Sequence, residues 1–253
     1  MVVAAGARSP ADIQQLSLST LVAFHLVPGA LMTVGFVVVA PVVQATGFPP
    51  IAALLVAIMV VLVPFELGVL RWAAREQHVG LIGVVPYRRP MPGRDWLWLV
   101  PALIACAFLG FGISMAVEPQ LIERFFSWLP EWFVRPILLD RIGDYSAAAW
   151  LITLAAYFAI NGFIGPIVEE FYFRGFLLPR MDRLGRWAPL LNVSLFSLYH
   201  FWSPWQLVAR ILALAPTVYA VRWKRNVYLG MAVHCSLNSL GVLIVAAAVI
   251  GRL

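Results

Sequence analysis

The sequence predicts an all-α protein, a polytopic transmembrane bundle of about seven or eight helices, and three observations support this fold class. Hydrophobic residues make up 62% of the chain and charged residues only 12%, whereas about 25% of a soluble domain is charged. The mean hydropathy is +0.88. Long stretches contain no Asp, Glu, Lys or Arg: 13–65, 96–117, 145–168, 187–209 and 226–251. Because a spanning helix needs about 20 apolar residues, each stretch is long enough to cross a membrane.

Within these stretches we predict helices at about 20–43, 51–72, 96–117, 146–184, 187–202, 205–222 and 227–250. The first stretch holds two helices, since Thr46-Gly-Phe-Pro-Pro50 is a turn signal. A helix over all of 146–184 would be about 57 Å long, which exceeds one crossing. We therefore expect Gly162, Gly165 and Pro166 to kink or break it.

Basic residues are concentrated in three connections between the apolar stretches: 71–95, 180–186 and 222–225. Lys and Arg favour cytoplasmic loops, so this asymmetry predicts a cytoplasmic N-terminus, including Arg8, and an external C-terminus. The segment 118–145 is then an external, interfacial loop with several aromatic side chains. The formal net charge of +6 follows this topology, which argues for the lipid bilayer and against nucleic acid as a partner.

Two adjacent glutamates, Glu169 and Glu170, lie within an otherwise apolar run. Ionisable groups at membrane depth are costly, so they are interpreted as functional by default. Glu170 and Arg174 share one helical face, in the favourable order with the acid first. Because Arg174 can neutralise Glu170, Glu169 remains available as a general base that activates water.

Two further apolar stretches each carry a histidine that we place in the same site. His200 follows Phe196 by one helical turn, and Phe196 would shield that face. His234 and Asn238 also share a helical face, and both can donate hydrogen bonds to the oxyanion of a tetrahedral intermediate. We expect these stretches and the paired glutamates to converge on one water-accessible pocket below the lipid headgroups.

The three motifs Glu-Glu-x-x-x-Arg, Phe-x-x-x-His and His-x-x-x-Asn occur in this order over roughly 145–245. In that order they resemble the CAAX-protease and bacteriocin-processing family (CPBP, or Abi) of intramembrane endopeptidases, to which the type II CAAX prenyl protease belongs. The resemblance implies that Glu169 activates water together with His200, and that His234 and Asn238 form the oxyanion hole. It divides the chain into N-terminal transmembrane helices with the outer interfacial loop, 1–144, and a catalytic transmembrane core, 145–253.

A metal is the main alternative for the chemistry. Members of this family are often named metalloproteases, and zinc binds imidazole and carboxylate ligands. In this chain Glu169, His200 and His234 would supply them. The motifs lack the H-E-x-x-H spacing, and Arg174 already accounts for Glu170. We therefore favour a glutamate mechanism with no metal and no other cofactor, and keep zinc as the alternative.

The function predicted from these features is that of an intramembrane endopeptidase, a multi-pass protein that hydrolyses a peptide bond of a membrane-embedded or lipid-anchored substrate. The single lysine among 18 basic residues suggests a bacterial gene, and hence the bacterial plasma membrane. The alternative is a non-catalytic membrane scaffold or a bacteriocin-immunity type protein with the same fold. A transporter with a proton-relay carboxylate is disfavoured by the order of the motifs.

Two further features are interpreted as structural. Arg210 lies within a predicted helix, where snorkelling to the interface is favoured over contact with a substrate carboxylate. Ser203, Pro204 and Gln206 match a helix N-terminus, with Ser203 as the cap and Gln206 completing a capping box.

Overall fold

The structure of the chain is a computed structural model that describes residues 13–137 and 139–253. Arg8, which enters the charge-based topology, lies outside these ranges. All regular elements within them are helical, apart from one isolated antiparallel bridge between Arg88 and Asn226. The prediction of an all-α, polytopic helical bundle is therefore confirmed.

Six helical stretches in the described ranges are long and apolar enough to cross a membrane. They are α1 (Leu18–Ala45), α2 (Pro50–Glu76), α3 (Gly93–Phe125), a composite run over Ala147–Leu198, a stretch over Pro204–Lys224 and a last helix over Val227–Ile250. Polar side chains begin several of them. Ser17 accepts a hydrogen bond from the Thr20 amide at the start of α1, and Ser146 accepts one from the Ala149 amide at the start of the composite run.

The predicted loop 118–145 begins too early, because α3 continues through Glu118 and ends at Phe125. Leu121 and Ile122 pack against the core in this last part of α3, and this packing outweighs the charges around them. The segment after α3 holds a short helix, α4 (Glu131–Val134), and a 3₁₀ turn at Leu139–Asp144. Phe133 on α4 packs on Phe36 of α1, with ring centroids 5.5 Å apart.

The composite run begins with α5 (Ala147–Ala159) and α6 (Gly165–Glu169), joined by a π turn at Ile160–Ile164. Of the kink or break predicted at Gly162, Gly165 and Pro166, no break is found, and the irregularity at this place is the π turn. The amide of Gly165 donates to the carbonyl of Ile160, five residues back, so the chain stays helical although Pro166 has no N–H to donate.

The run is interrupted further along, at Gly185, which has φ +55° and ψ −131°. A π-helical segment, Glu170–Leu177, and a 3₁₀ segment, Leu178–Trp187, lead to it, and α7 (Ala188–Leu198) follows. Contacts then pair residues in opposite order along the two arms: Met181 with Asn192, Phe173 with Phe196, and Glu169 with Tyr199. The chain therefore folds back at Gly185, and α7 runs antiparallel to the arm that carries the glutamates.

The last two helices are α8 (Leu207–Lys224) and α9 (Val227–Ile250). Arg225 adopts a left-handed conformation between them, and the Asn226 side chain accepts a hydrogen bond from the Leu229 amide at the start of α9. The helix α8 packs against α3 and α7, and α9 packs against α3 and the π turn after α5. This packing places α9 beside the segment that carries the two glutamates.

Candidate active site

The residues predicted to form the site border one cavity. Glu169 is the last residue of α6, and His200 follows the end of α7. His234 and Asn238 lie on α9. All four border a cavity of about 430 Å³, within the range of roughly 300–1,000 Å³ typical of ligand sites. The helices α2 and α3 complete the wall with Ile51, Leu54, Ile58, Leu62, Phe111 and Glu118.

Among the described residues, one oxygen of the Glu169 carboxyl group has a hydrogen-bond partner and the other has none. The hydroxyl of Tyr199 donates a hydrogen bond to Glu169 Oε1. Glu169 Oε2 lies 3.8 Å from His234 Nε2, which is beyond hydrogen-bond distance. Glu169 is 7% exposed and borders the cavity. Its Oε2 can therefore accept a proton from a water molecule in the cavity.

Glu170 lies in an interior cluster next to this cavity. Its Oε1 accepts a hydrogen bond from His234 Nδ1 at 3.1 Å and lies 3.5 Å from Arg174 Nη1. Glu170 and Arg174 are each 2% exposed, so the ion pair is buried. The guanidinium carbon of Arg174 also lies 3.8 Å from the ring centroid of Phe196, a cation–π contact. Glu170, Arg174 and Phe196 thus form a connected cluster that contacts His234 from the interior of the protein.

His200 is held by the helix that precedes it. Its Nδ1 lies 2.8 Å from the carbonyl oxygen of Phe196. Because a carbonyl only accepts, Nδ1 carries the hydrogen and Nε2 of the neutral ring is an acceptor. The rings of Tyr199 and Trp202 both pack against the imidazole, with centroids 4.4 Å and 4.6 Å from that of His200. This packing fixes the imidazole at the cavity wall.

His234 and Asn238 present donors from one face of α9. His234 Nδ1 faces Glu170, which leaves Nε2 on the side of Glu169. In the imidazolium form both ring nitrogens donate. Asn238 Nδ2 donates one hydrogen to the carbonyl of Asn161 at 2.9 Å and retains a second N–H. With His234 in the imidazolium form, each of these two residues of the cavity wall therefore has an N–H available for an oxygen atom.

Three residues of the site were not predicted from the sequence: Tyr199, Asn161 and Glu66. The sequence marks Tyr199 only by its position next to His200. It marks Asn161 only by its position at the start of the run that contains the glutamates. Glu66 is fully buried on α2, and both its carboxyl oxygens lack a hydrogen-bond partner among the described residues. It lies within Coulombic reach of Glu169. Its place inside a predicted membrane helix could have identified it.

Arg210 and the turn before α8 differ from their predictions. Arg210 is 6% exposed and borders the cavity, so it does not snorkel to the interface. Ser203 makes no side-chain cap, and the short 3₁₀ turn after it begins without a capping box. The Ser203 hydroxyl and Gln206 Oε1 instead accept hydrogen bonds from Arg210 Nη2, at 2.8 Å and 2.9 Å. A buried guanidinium that needs acceptors takes the oxygens that would otherwise cap the helix.

The residues named for a possible zinc site do not converge as a ligand set. The described parts of the chain hold no group of three or more His, Cys, Asp or Glu arranged to bind a metal ion. Glu169 and His234 approach each other, but Glu169 Oε1 accepts a hydrogen bond from Tyr199. We therefore derive no step through a metal.

The fold and the site define an integral membrane protein with a buried polar centre of carboxylate, imidazole and amide groups. Residues 150–240 match the family model described as Type II CAAX prenyl endopeptidase Rce1-like. The resemblance stated from the three motifs is therefore confirmed over this segment of the chain. The match includes Glu169, His200, His234 and Asn238. No curated protein and no solved structure matches the chain.

Proposed function

We propose that the protein is an intramembrane endopeptidase that hydrolyses a peptide bond of a membrane-embedded or lipid-anchored substrate. One observation carries this proposal. Glu169 borders a cavity together with two imidazoles and an amide, and one of its oxygens has no hydrogen bond. A carboxylate in that state is suited to take a proton from water. The family match over 150–240 supports the same reaction class.

In the proposed reaction Glu169 Oε2 removes a proton from a water molecule that His200 Nε2 helps to orient. The resulting hydroxide adds to the carbonyl carbon of the scissile bond. The negative charge on the carbonyl oxygen is stabilised by His234 and Asn238 as hydrogen-bond donors. When the C–N bond breaks, the proton held by Glu169 passes to the leaving amine, and the new carboxylate and amine leave the cavity.

The membrane setting of this reaction is also a proposal. We infer a bacterial plasma membrane with the N-terminus in the cytoplasm, because basic residues favour the connections assigned to that side. The substrate must then reach the cavity from the bilayer, so a peptide segment near a lipid anchor or a membrane helix is the expected ligand. The reaction as proposed needs no metal.

The experiment compares the membrane peptidomes of cells that express the wild-type protein, Glu169→Gln or Glu123→Gln. Glu123 is an exposed residue on α3, so Glu123→Gln controls for the loss of one carboxylate. We expect Glu169→Gln to lower the cleavage of specific peptides by about 10²- to 10⁴-fold, the contribution of a general base, and to leave the protein folded. Glu123→Gln should cleave like the wild type.

The same variants address the scaffold or immunity alternative. If Glu169→Gln and His234→Ala both retain the cellular phenotype of the wild type in complementation, the fold acts by binding a partner and the proteolytic proposal fails.

A further inference from the structure

Arg210 is a buried cation of the cavity with only neutral partners. Its Nη1 donates to the carbonyl of Ser197 at 3.3 Å, and its Nη2 donates to Ser203 Oγ and Gln206 Oε1. A guanidinium group has five N–H donors, so donors remain after these three bonds. No carboxylate of the described residues lies within ion-pair distance of it.

Arg174, the other buried arginine near this site, has a carboxylate partner that balances its charge. Glu170 Oε1 lies 3.5 Å from Arg174 Nη1. In the described part of the chain Arg210 has no such acid beside it, and the Gln206 side chain stands between Arg210 and the carboxylate of Glu118. Gln206 Nε2 donates to both oxygens of Glu118, each at 3.2 Å, and only Gln206 Oε1 contacts Arg210. Burial of a guanidinium without a directly bound anion is costly. Glu169 and Glu118 attract the charge of Arg210 from a greater distance, so what Arg210 lacks among the described residues is an anion in direct contact with it.

We propose that Arg210 binds a carboxylate group of the substrate peptide, in the same cavity as Glu169. This inference rests on the proposed proteolytic function and adds the chemistry by which the substrate is chosen. Arginine is suited to the task because its planar fork matches a carboxylate and its charge is permanent. The carboxylate is either the C-terminus of the peptide or an Asp or Glu side chain close to the scissile bond.

Arg210 also has a structural role that the experiment must separate from binding. Its hydrogen bonds to Ser197 and Ser203 hold the two ends of the turn that contains His200. A purely structural arginine would affect all substrates alike. A carboxylate-binding arginine distinguishes peptides that carry the acid from otherwise identical peptides that do not.

The test uses three dye-labelled, prenylated CAAX-type tetrapeptides: one with a free C-terminal carboxylate, one with a C-terminal amide, and one amide with an aspartate as its last residue. Each is titrated into the full-length protein in detergent, and binding is followed by fluorescence anisotropy. The protein carries Glu169→Gln so that no peptide is consumed. We expect the free acid to bind about 10- to 100-fold more tightly than the plain amide, as for hydrogen bonds to a charged group.

Two variants are compared in the same background. Arg210→Gln should reduce the preference for the acid to less than about twofold. Arg135→Gln should keep it, because Arg135 borders the same cavity but is exposed and only adds positive charge. If only the free acid binds more tightly than the plain amide, the carboxylate is the chain terminus. If only the aspartate peptide does, the carboxylate is a side chain, and if both do, Arg210 accepts a carboxylate at either position.

The proposal is overturned if neither the free acid nor the aspartate peptide binds more tightly than the plain amide while Arg210 is intact, and this result does not depend on any Arg210 variant folding. It is also overturned if Arg210→Gln weakens acid and amide by the same factor, which would leave Arg210 with its structural role alone. The readout is binding and not cleavage. A protein that prefers the acid but cleaves nothing would contradict the proposed function and leave the carboxylate site standing.

Discussion

Glu169 and Glu170 are neighbours in the chain, but their carboxyl groups lie in two different regions of the site. The cavity region holds Glu169 with Tyr199, and one oxygen of Glu169 stays without a hydrogen bond. The interior region holds Glu170 between Arg174 and His234, next to the cavity but not in its wall. Successive residues of a helix point about 100° apart, so one pair of acids can serve both regions.

This comparison suggests a division of labour for the proposed reaction, in which Glu169 is the base. The interior region balances charge and fixes His234, while the cavity region leaves one acid open to water. Changes in the interior region should therefore reduce stability first, and changes in the cavity region should reduce cleavage first. The three predictions below test this division.

The largest effect is expected for Glu170→Gln. The amide keeps the shape and can still accept from His234 Nδ1, but it leaves Arg174, which is 2% exposed, without its anion. Breaking a buried ion pair costs about 3–5 kcal/mol, so the midpoint of thermal unfolding in detergent should fall by roughly 6–20 °C.

The double variant Glu170→Leu with Arg174→Met is the control, because it removes both charges and should recover much of the lost stability. If Glu170→Gln unfolds at the wild-type temperature, Arg174 does not depend on Glu170 and the division into two regions is wrong.

An intermediate effect is expected for Gly230→Ala on α9. A Cβ at this position would collide with Glu170 Oε2, so the added methyl group must displace the interior carboxylate. Overpacking of this kind costs about 1–3 kcal/mol. Gly241→Ala is the matched control on the same helix, since a Cβ there meets no atom within 4 Å, and it should stabilise α9 by up to about 1 kcal/mol. Equal unfolding midpoints for the two variants would contradict the prediction.

Much of the fold could be predicted from the sequence because the membrane imposes length and polarity on each helix. The first helix, predicted at 20–43, spans Leu18–Ala45, and the last was predicted with its observed bounds, Val227–Ile250. The end of α3 was missed because Glu118 closed the charge-free stretch, although Leu121 and Ile122 continue the apolar face into the core. Charge alone therefore marks a helix end poorly where the helix still packs.

The candidate site was predictable where its residues share a helical face and not where they meet through tertiary contacts. Glu170 with Arg174, and His234 with Asn238, follow from their spacing. The hydrogen bond from Tyr199 to Glu169 joins residues 30 positions apart, and it depends on the reversal at Gly185. The partners of Arg210 depend on how α7 turns into α8, which no periodic pattern encodes.

The smallest effect is expected for Tyr199→Phe, which removes the hydroxyl donor to Glu169 Oε1 and keeps the ring contacts with Phe196 and His200. Loss of one hydrogen bond to a charged group should lower cleavage about tenfold. Tyr172→Phe is the control. The Tyr172 hydroxyl donates to the carbonyl of Phe24 at 2.8 Å, and neither residue lies in the cavity wall. Each variant loses one hydroxyl hydrogen bond, so both unfolding midpoints should fall, whereas only Tyr199→Phe should slow cleavage. Equal rates for the two variants would mean that Tyr199 only packs, and that Glu169 does not need its donor to act as the base.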